Sequence, residues 1–399
     1  MTAMKFLNYL TFSQWVRPAI AITLSLIIMQ RGTAQEVSQL GERRITPANE
    51  RALDNGLIRA TVRVAGEDHI FIVDTGATQC VFDERLRASC SNLLGEFMVG
   101  SGYASMKRPF FQTANAEICD RRVQLGPVCI LDLSELSSVA GGDISGILGL
   151  LIFRDFVVGY QAAEEVYYAG LSYVRRFDST FPVVVESACL WTSDIEIGIH
   201  VDRFTIDTGM RAPLSLSKEH FDEAQARGLV YGIVNSSSYA ITGPHASRTG
   251  FLKALTIWKH PFKDVPIVEA SHESVGLGLL QKFDFRINAQ KRTIEISTNR
   301  KTDQPFDFNR SGIGLKSAGG MLLVANVDDG SPGQQAGVCE QDAIVAINDQ
   351  AVEAGWVGLS EARAALSDPV ATEVDLTIRS QSEGNKVLTI RLRPKPVAP

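Results

Sequence analysis

The sequence lacks the patterns that mark several common functional classes. It has no run of Lys or Arg and its net charge is −6, so the positive surface that binds nucleic acid is absent. None of its six cysteines belongs to a Cys-x-x-Cys pair, and no Cys/His set has the spacing of a zinc site. A Gly-x-Ser-x-Gly elbow and a phosphate-binding glycine loop are also missing. We therefore expect no nucleic-acid partner, no metal and no cofactor.

The chain also lacks an apolar run of the roughly 20 residues that a membrane-spanning helix needs. A shorter, mostly apolar run at 19–29 follows Lys5 and Arg17 and precedes small residues at 32–34, which is typical of a secretory signal. We predict a signal peptide at 1–34, a periplasmic or secreted protein and no stable membrane span. An uncleaved anchor is the alternative.

Export would place the six cysteines where disulfides persist. The sequence allows the local pairs Cys80–Cys90 and Cys119–Cys129, but it does not choose among the other pairings. Buried free thiols are the alternative.

An internal repeat organises the first three hundred residues. Phe-Ile-Val at 71–73 leads into Asp-Thr-Gly at 74–76, and Phe-Thr-Ile at 204–206 leads into Asp-Thr-Gly at 207–209. Downstream, Leu-Gly-Leu-Leu at 148–151 recurs at 277–280, an offset of 129 positions (148 to 277) against 133 for the tripeptides (74 to 207). We infer two copies of one β-rich lobe, at 35–175 and 176–300, that differ by a short insertion.

The pattern around each tripeptide is mostly that of strands. Alternation of apolar and polar residues predicts strands at 57–64 and 195–201, each leading towards its tripeptide. The best helical candidates are 83–89 and 217–227, with Ser217 as the N-cap of the second.

An aspartate at the end of an apolar strand needs a compensating interaction, because a buried carboxylate is unfavourable. If Asp74 and Asp207 meet between the lobes, they cannot both ionise easily, so the pair shares one proton. The ionised member can then take a proton from a water, while the protonated member hydrogen-bonds the carbonyl under attack. Thr75 and Thr208 would supply hydroxyls that brace the two loops against each other, and Gly76 and Gly209 would allow tight turns.

The sequence Asp-Thr-Gly-Ala at 74–77, with Gly-Ile-Leu-Gly at 146–149, resembles the aspartic peptidases of the retropepsin and pepsin group. The resemblance implies a mostly β fold, Asp74 and Asp207 as a catalytic dyad in a cleft, and a hairpin flap over the substrate. The flap candidates are Gly102 and Tyr103, with 238–243 as a second candidate segment.

Two departures from that group affect the second copy. Met210 follows the second tripeptide where the group usually carries a small residue, and its side chain is expected to crowd the Asp207 carboxylate. The Gly-Leu-Gly segment at 276–278 is also shorter than the group's Gly-apolar-apolar-Gly form.

A different module follows a polar linker at 301–308. Residues 309–396 resemble a bacterial-type PDZ domain, with Ser-Gly-Ile-Gly-Leu at 311–315 as the most typical segment. The resemblance implies an α+β domain that adds a peptide to a sheet edge and receives its terminal carboxylate on the amides of a glycine loop. The predicted loop residues are Gly312, Ile313, Gly314 and Leu315. A packing module without a ligand is the alternative.

The sequence therefore predicts an exported aspartic endopeptidase with protein or peptide substrates, whose PDZ-like domain binds peptide or protein termini. In one alternative, equivalent lobes of two chains pair in a homodimer. In the other, the lobes form a catalytically inactive peptide-binding scaffold, which Met210 favours.

Overall fold

The computed structural model describes residues 43–44, 56–100, 105–113, 115–154, 157–164, 166–170, 176–186, 189–380 and 384–394. The predicted signal peptide at 1–34 lies outside these ranges, and so do the flap candidates Gly102 and Tyr103. Within these ranges, no helix is long and apolar enough to cross a membrane.

The first part of the chain forms a twisted sheet with the strand order β5-β6-β9-β4-β10-β3-β2-β7-β8. Helix α1 is Ser134–Ala140, and 3-10 helices occupy Glu84–Ser89 and Leu150–Arg154. The strands up to the end of this part are β1 Arg43–Arg44, β2 Arg59–Val64, β3 Glu67–Val73, β4 Val81–Asp83, β5 Cys90–Gly100, β6 Ser105–Thr113, β7 Ala116–Ile118, β8 Arg121–Val123, β9 Pro127–Leu131, β10 Gly146–Leu148, β11 Val157–Gln161, β12 Val166–Gly170 and β13 Ser179–Pro182.

The second part repeats this strand arrangement in a sheet that contains the order β15-β17-β22-β18-β21-β20, with β19 paired to β20. Helix α2 is Lys218–Ala226 and helix α3 is Leu277–Leu280. The strands are β14 Val184–Glu186, β15 Cys189–Thr192, β16 Ile195–Glu196, β17 Phe204–Asp207, β18 Leu214–Ser217, β19 Val230–Ala240, β20 Gly243–Ile257, β21 His260–Ala270, β22 Ser274–Gly276, β23 Phe283–Asn288 and β24 Thr293–Thr298.

The two sheets match over eight strands each, including strand direction, and only β8 and β16 have no counterpart among the described strands. In the first, β10 runs parallel to β3 and antiparallel to β4, and β4 runs parallel to β9. In the second, β22 runs parallel to β17 and antiparallel to β18, and β18 runs parallel to β21. Each sheet also ends in a long hairpin, β5–β6 or β19–β20. The sequence repeat is therefore a repeat of topology.

A third sheet, with the order β1-β12-β11-β23-β24-β13, joins the two lobes. Strand β11 follows the first lobe and pairs antiparallel with β23, which follows the second. The buried Tyr160 and Phe285 rings stack at this pairing, 6.0 Å between centroids. The Asp284 carboxylate accepts a hydrogen bond of 2.9 Å from the Ala162 amide, and so ties one lobe to the other.

The C-terminal part has its own core and a sheet with the order β25-β26-β27-β29-β30, with β28 beside β27. Helix α5 packs across the sheet through buried Leu359, Ala362 and Leu366. The elements are β25 Ile313–Ala318, β26 Met321–Val327, α4 Pro332–Gln335, β27 Ala343–Ile347, β28 Gln350–Ala351, α5 Trp356–Ser367, β29 Glu373–Ser380 and β30 Gly384–Arg391.

The predicted mostly β fold is confirmed, and so are both helical segments. The first is a 3-10 helix capped by Asp83, and the second is α2, whose N-cap Ser217 accepts from the His220 amide. The strand predicted at 195–201 is wrong beyond Glu196, because Gly198 turns the backbone into the left-handed region at φ +83°. No disulfide links the six cysteines, all of which lie in the described ranges, and Cys80, Cys90 and Cys129 are buried.

We expect Phe285→Ala to lower the free energy of unfolding by about 3–5 kcal/mol, because it removes a fully buried ring from the sheet that joins the lobes. Chemical denaturation measures this change. The matched control is Val184→Ala, whose side chain is 52% exposed and which should change stability little. Equal losses in the two variants would show that the joining sheet is not a main source of stability.

Candidate active site

The parallel strand pairs place the two aspartates at corresponding points of the two lobes. Asp74 comes directly after β3, and its amide donates to the Leu148 carbonyl of neighbouring β10, at 2.9 Å. Asp207 ends β17, in register with Gly276 of neighbouring β22. The two tripeptides therefore lie at the ends of equivalent strands, and the two loops face each other.

Two threonines connect the tripeptide loops through reciprocal hydrogen bonds. The Thr75 amide donates to Thr208 Oγ1 at 3.0 Å, and the Thr208 amide donates to Thr75 Oγ1 at 3.1 Å. Each hydroxyl then donates across the interface, from Thr75 to the Ile206 carbonyl at 2.6 Å and from Thr208 to the Val73 carbonyl at 2.9 Å. Both threonines are fully buried, so the bonds are shielded from competing water.

The glycines of the tripeptides leave room for the opposite carboxyl group. A Cβ atom on Gly76 would lie 2.6 Å from Asp207 Cγ, and one on Gly209 would lie 2.4 Å from Asp74 Cγ. Any side chain at either position would displace the aspartate of the other lobe. The Gly76 and Ala77 amides donate to Asp74 Oδ1 at 2.8 and 3.0 Å, and the Gly209 amide donates to Asp207 Oδ1 at 2.8 Å.

The carboxyl groups of Asp74 and Asp207 each lie beside the tripeptide glycine of the opposite lobe. Burial, and next the negative charge of Asp207, raise the pKa of Asp74 well above its usual value. Burial also raises the pKa of Asp207, and the Gly209 amide acts in the opposite direction. Two buried carboxyls that interact cannot both ionise easily, so the pair holds one proton.

Met210 does not displace the Asp207 carboxylate, contrary to the expectation from its size. Its side chain turns towards Gly276, where its Cε atom and its carbonyl oxygen lie 2.8 and 2.6 Å from the position of a Cβ atom. The glycine in the shortened Gly-Leu-Gly segment thus makes space for the methionine. Asp207 keeps the same 2.8 Å amide contact that Asp74 has in the first lobe.

The aspartates line a cavity of about 990 Å³. Its walls include Val99 and Gly100 of the β5–β6 hairpin, and Tyr239 and Ile241 at the tip of the β19–β20 hairpin. The second predicted flap segment, 238–243, therefore lies at the tip of a hairpin that lines the cavity of the aspartates. The first flap candidates, Gly102 and Tyr103, lie outside the described ranges.

The cavity wall carries buried polar groups that form no hydrogen bond within the described part of the chain. Among the described residues, three buried side-chain atoms without a hydrogen bond line it: Gln79 Oε1, Trp191 Nε1 and Ser274 Oγ. Buried polar atoms are normally paired, so these atoms are suited to bind a ligand. No group of three or more His, Cys, Asp or Glu side chains in the described ranges could hold a metal ion.

The C-terminal module borders the same cavity. Its edge strand β25 lies against α1 of the first lobe, and Arg363 of α5 donates to the carbonyl oxygens of Val139 and Leu315. Arg59 stacks 4.2 Å from the Trp356 ring centroid. The segment predicted as a linker is also packed, since Phe306 belongs to the lobe core.

The predicted peptide-binding loop of this module opens β25. Its Gly312 has a φ of +71°, and Ile313, Gly314 and Leu315 line the cavity. The amide of Gly312 donates to Asn309 Oδ1 at 3.1 Å, and the amide of Ile313 donates to Ser311 Oγ at 3.1 Å. A carboxylate at this loop would have to replace these side-chain acceptors.

Sequence reasoning missed several residues that line the cavity, namely Arg211, His272, Asn309 and Arg363. Arg211 lies two positions after the second tripeptide, and His272 lies two positions before β22. Their closeness in sequence to these elements was a weak signal that they line the site. Arg363 gave none, because its contact with Val139 joins residues 224 positions apart.

We expect Thr75→Val to lower the free energy of unfolding by about 1–3 kcal/mol, because it removes a hydroxyl that donates one buried bond and accepts another. Thr75→Ser keeps the hydroxyl and should lose less. Denaturant titration of the three proteins checks the order, and a valine variant as stable as the wild type would contradict the role of the threonine pair.

Comparison with known proteins identifies one family along the chain. Residues 323–380 match the family model of the PDZ domain. No curated protein matches the chain. The C-terminal module therefore contains a PDZ domain, a type of domain that binds peptides or proteins.

Proposed function

We propose that the protein is an exported aspartic endopeptidase. The observation that carries the proposal is a pair of aspartates, one from each lobe, that face each other on the wall of a large cavity and whose pKa values are both raised. The resemblance of both tripeptide loops to the retropepsin and pepsin group supports the same activity, and the N-terminal pattern supports export. The substrates are proteins or peptides, and hydrolysis needs no cofactor.

The proposed reaction uses the two protonation states of the pair. The ionised carboxyl takes a proton from a water that lies between Asp74 and Asp207, and the water oxygen bonds to the carbonyl carbon of the substrate. The protonated carboxyl hydrogen-bonds the carbonyl oxygen and stabilises its developing negative charge. The tetrahedral intermediate then breaks its C–N bond as the nitrogen takes up the proton that came from the water, which leaves a carboxylic acid and an amine.

The geometry favours a dyad formed within one chain over one formed between two chains. The Thr75–Thr208 bonds and the paired carboxyls all lie inside a single polypeptide. The PDZ domain packs beside the cavity, where we propose that it binds substrate segments or protein termini. The inactive-scaffold alternative loses its main support, because Met210 leaves both carboxyls in place.

We expect Asp74→Asn and Asp207→Asn each to lower kcat by about 100-fold or more, because each removes one half of the acid–base pair. Cleavage of an unfolded protein at mildly acidic pH measures this loss. The control is Asp202→Asn, an exposed residue paired only with exposed His200. Full activity in either dyad variant would overturn the one-chain dyad, and no turnover of a broad peptide library by the wild type would overturn the proposed activity.

The dyad also predicts how stability depends on pH. A carboxyl whose pKa is raised by folding stabilises the fold fully below its unfolded value of about 3.9, and this contribution is lost as pH rises through the folded value. The wild type should therefore lose thermal stability as pH rises above about 4, and Asp74→Asn should lose less. Thermal unfolding at a series of pH values checks this, and parallel curves for wild type and variant would contradict it.

A further inference from the structure

Two arginines from different parts of the fold line the cavity without an acidic partner. Arg211 lies in the loop after the second tripeptide, and Arg363 lies on α5 of the PDZ domain. Among the described residues no carboxylate faces either guanidinium. The Nη2 atom of Arg363 donates only to backbone carbonyls, at 2.7 Å to Val139 and 3.1 Å to Leu315.

The two partly exposed arginines repel each other, since the positive charge of Arg211 acts on Arg363. Burial lowers the pKa of Arg211 to about 10. Burial, and next the charge of Arg211, lower the pKa of Arg363 well below its usual value. Other arginines show the usual solution, since Arg248 is bonded to both Asp222 and Glu269. Neighbouring cations on a cavity wall without an anion repel each other, and an anionic ligand would relieve this repulsion.

The two arginines come from different elements. The Arg363 guanidinium bonds the end of α1 and the PDZ edge strand, and Arg211 lies four positions after Asp207. Arg393 lines the same cavity but acts on Asp328, so its charge is already balanced.

We propose that Arg211 and Arg363 form a carboxylate-binding subsite that selects peptides with an acidic group at a fixed distance from the bond that is cut. The proposal rests on the proposed peptidase function and names the substrate class. Guanidinium groups bind carboxylates through paired N–H donors, and the carboxylates of a peptide are its Asp and Glu side chains and its C-terminus. One such group would balance the charge that the chain leaves unpaired.

Binding to the Asp207→Asn variant tests the subsite without requiring turnover. The probes are fluorescent peptides of equal length with both ends blocked, in which one Glu or one Gln is moved through successive positions. A second pair carries a free or an amidated C-terminus. Fluorescence anisotropy should show about 10- to 100-fold tighter binding of the carboxylate peptide at one position or at the free terminus. The two arms identify which carboxylate is bound.

When Arg211→Gln is added to the same variant, the ratio of the Kd of the neutral peptide to the Kd of the carboxylate peptide should fall towards one. Arg211 has no partner to lose, so thermal unfolding should show no drop in stability. Arg363→Gln gives a second test, in which a circular dichroism spectrum checks that the fold survives loss of its two carbonyl contacts. The matched control is Arg63→Gln, an exposed arginine bonded to Asp68.

The outcomes separate the subsite from the peptidase activity. A carboxylate preference that depends on Arg211 supports the subsite, even if the wild type cleaves nothing and the proposed function fails. Equal binding of Glu and Gln peptides and of both termini, absence of binding, or a preference that survives Arg211→Gln overturns the subsite. Cleavage of neutral peptides would then still support the proposed function.

Discussion

The arrangement of the site depends on a reciprocal set of hydrogen bonds between Thr75 and Thr208. Each residue gives its amide to the other's hydroxyl and its own hydroxyl to a backbone carbonyl across the interface. These bonds hold two loops at a separation that neither lobe could set alone. At that separation the carboxyl of each aspartate fills the space beside the glycine of the other loop, and two acids in contact hold one proton between them.

Duplication explains how the chain reaches this symmetry. Both lobes place the tripeptide after a strand that runs parallel to a second, glycine-bearing strand, and both carry a long hairpin over the same cavity. The joining sheet also links the two lobes, so the threonine bonds are not the only link. The lobes differ where the second loop carries Met210 and Arg211, and the first of these is accommodated by Gly276.

Short motifs at near-constant offsets report on topology, so the sequence repeat was sufficient to predict that the two tripeptide loops occupy equivalent places in two similar sheets. Local patterns failed where a single glycine decided the backbone, as at Gly198, whose alternating neighbours suggested a longer strand. Local patterns also could not show that the side chains of Asn309 and Ser311 accept hydrogen bonds from the amides of the predicted PDZ loop. The link from Arg363 to α1 arises from tertiary packing between distant segments, which no local pattern encodes.

The central claim is that Asp74 and Asp207 hold a single proton between them. Carbon-13 NMR of the aspartate carboxyl carbons, assigned with the two asparagine variants and followed from about pH 3 to about pH 8, measures this directly. The account predicts two separate steps for the pair, with one proton retained well above the ordinary aspartate pKa of about 3.9. Two independent titrations near that ordinary value would contradict it.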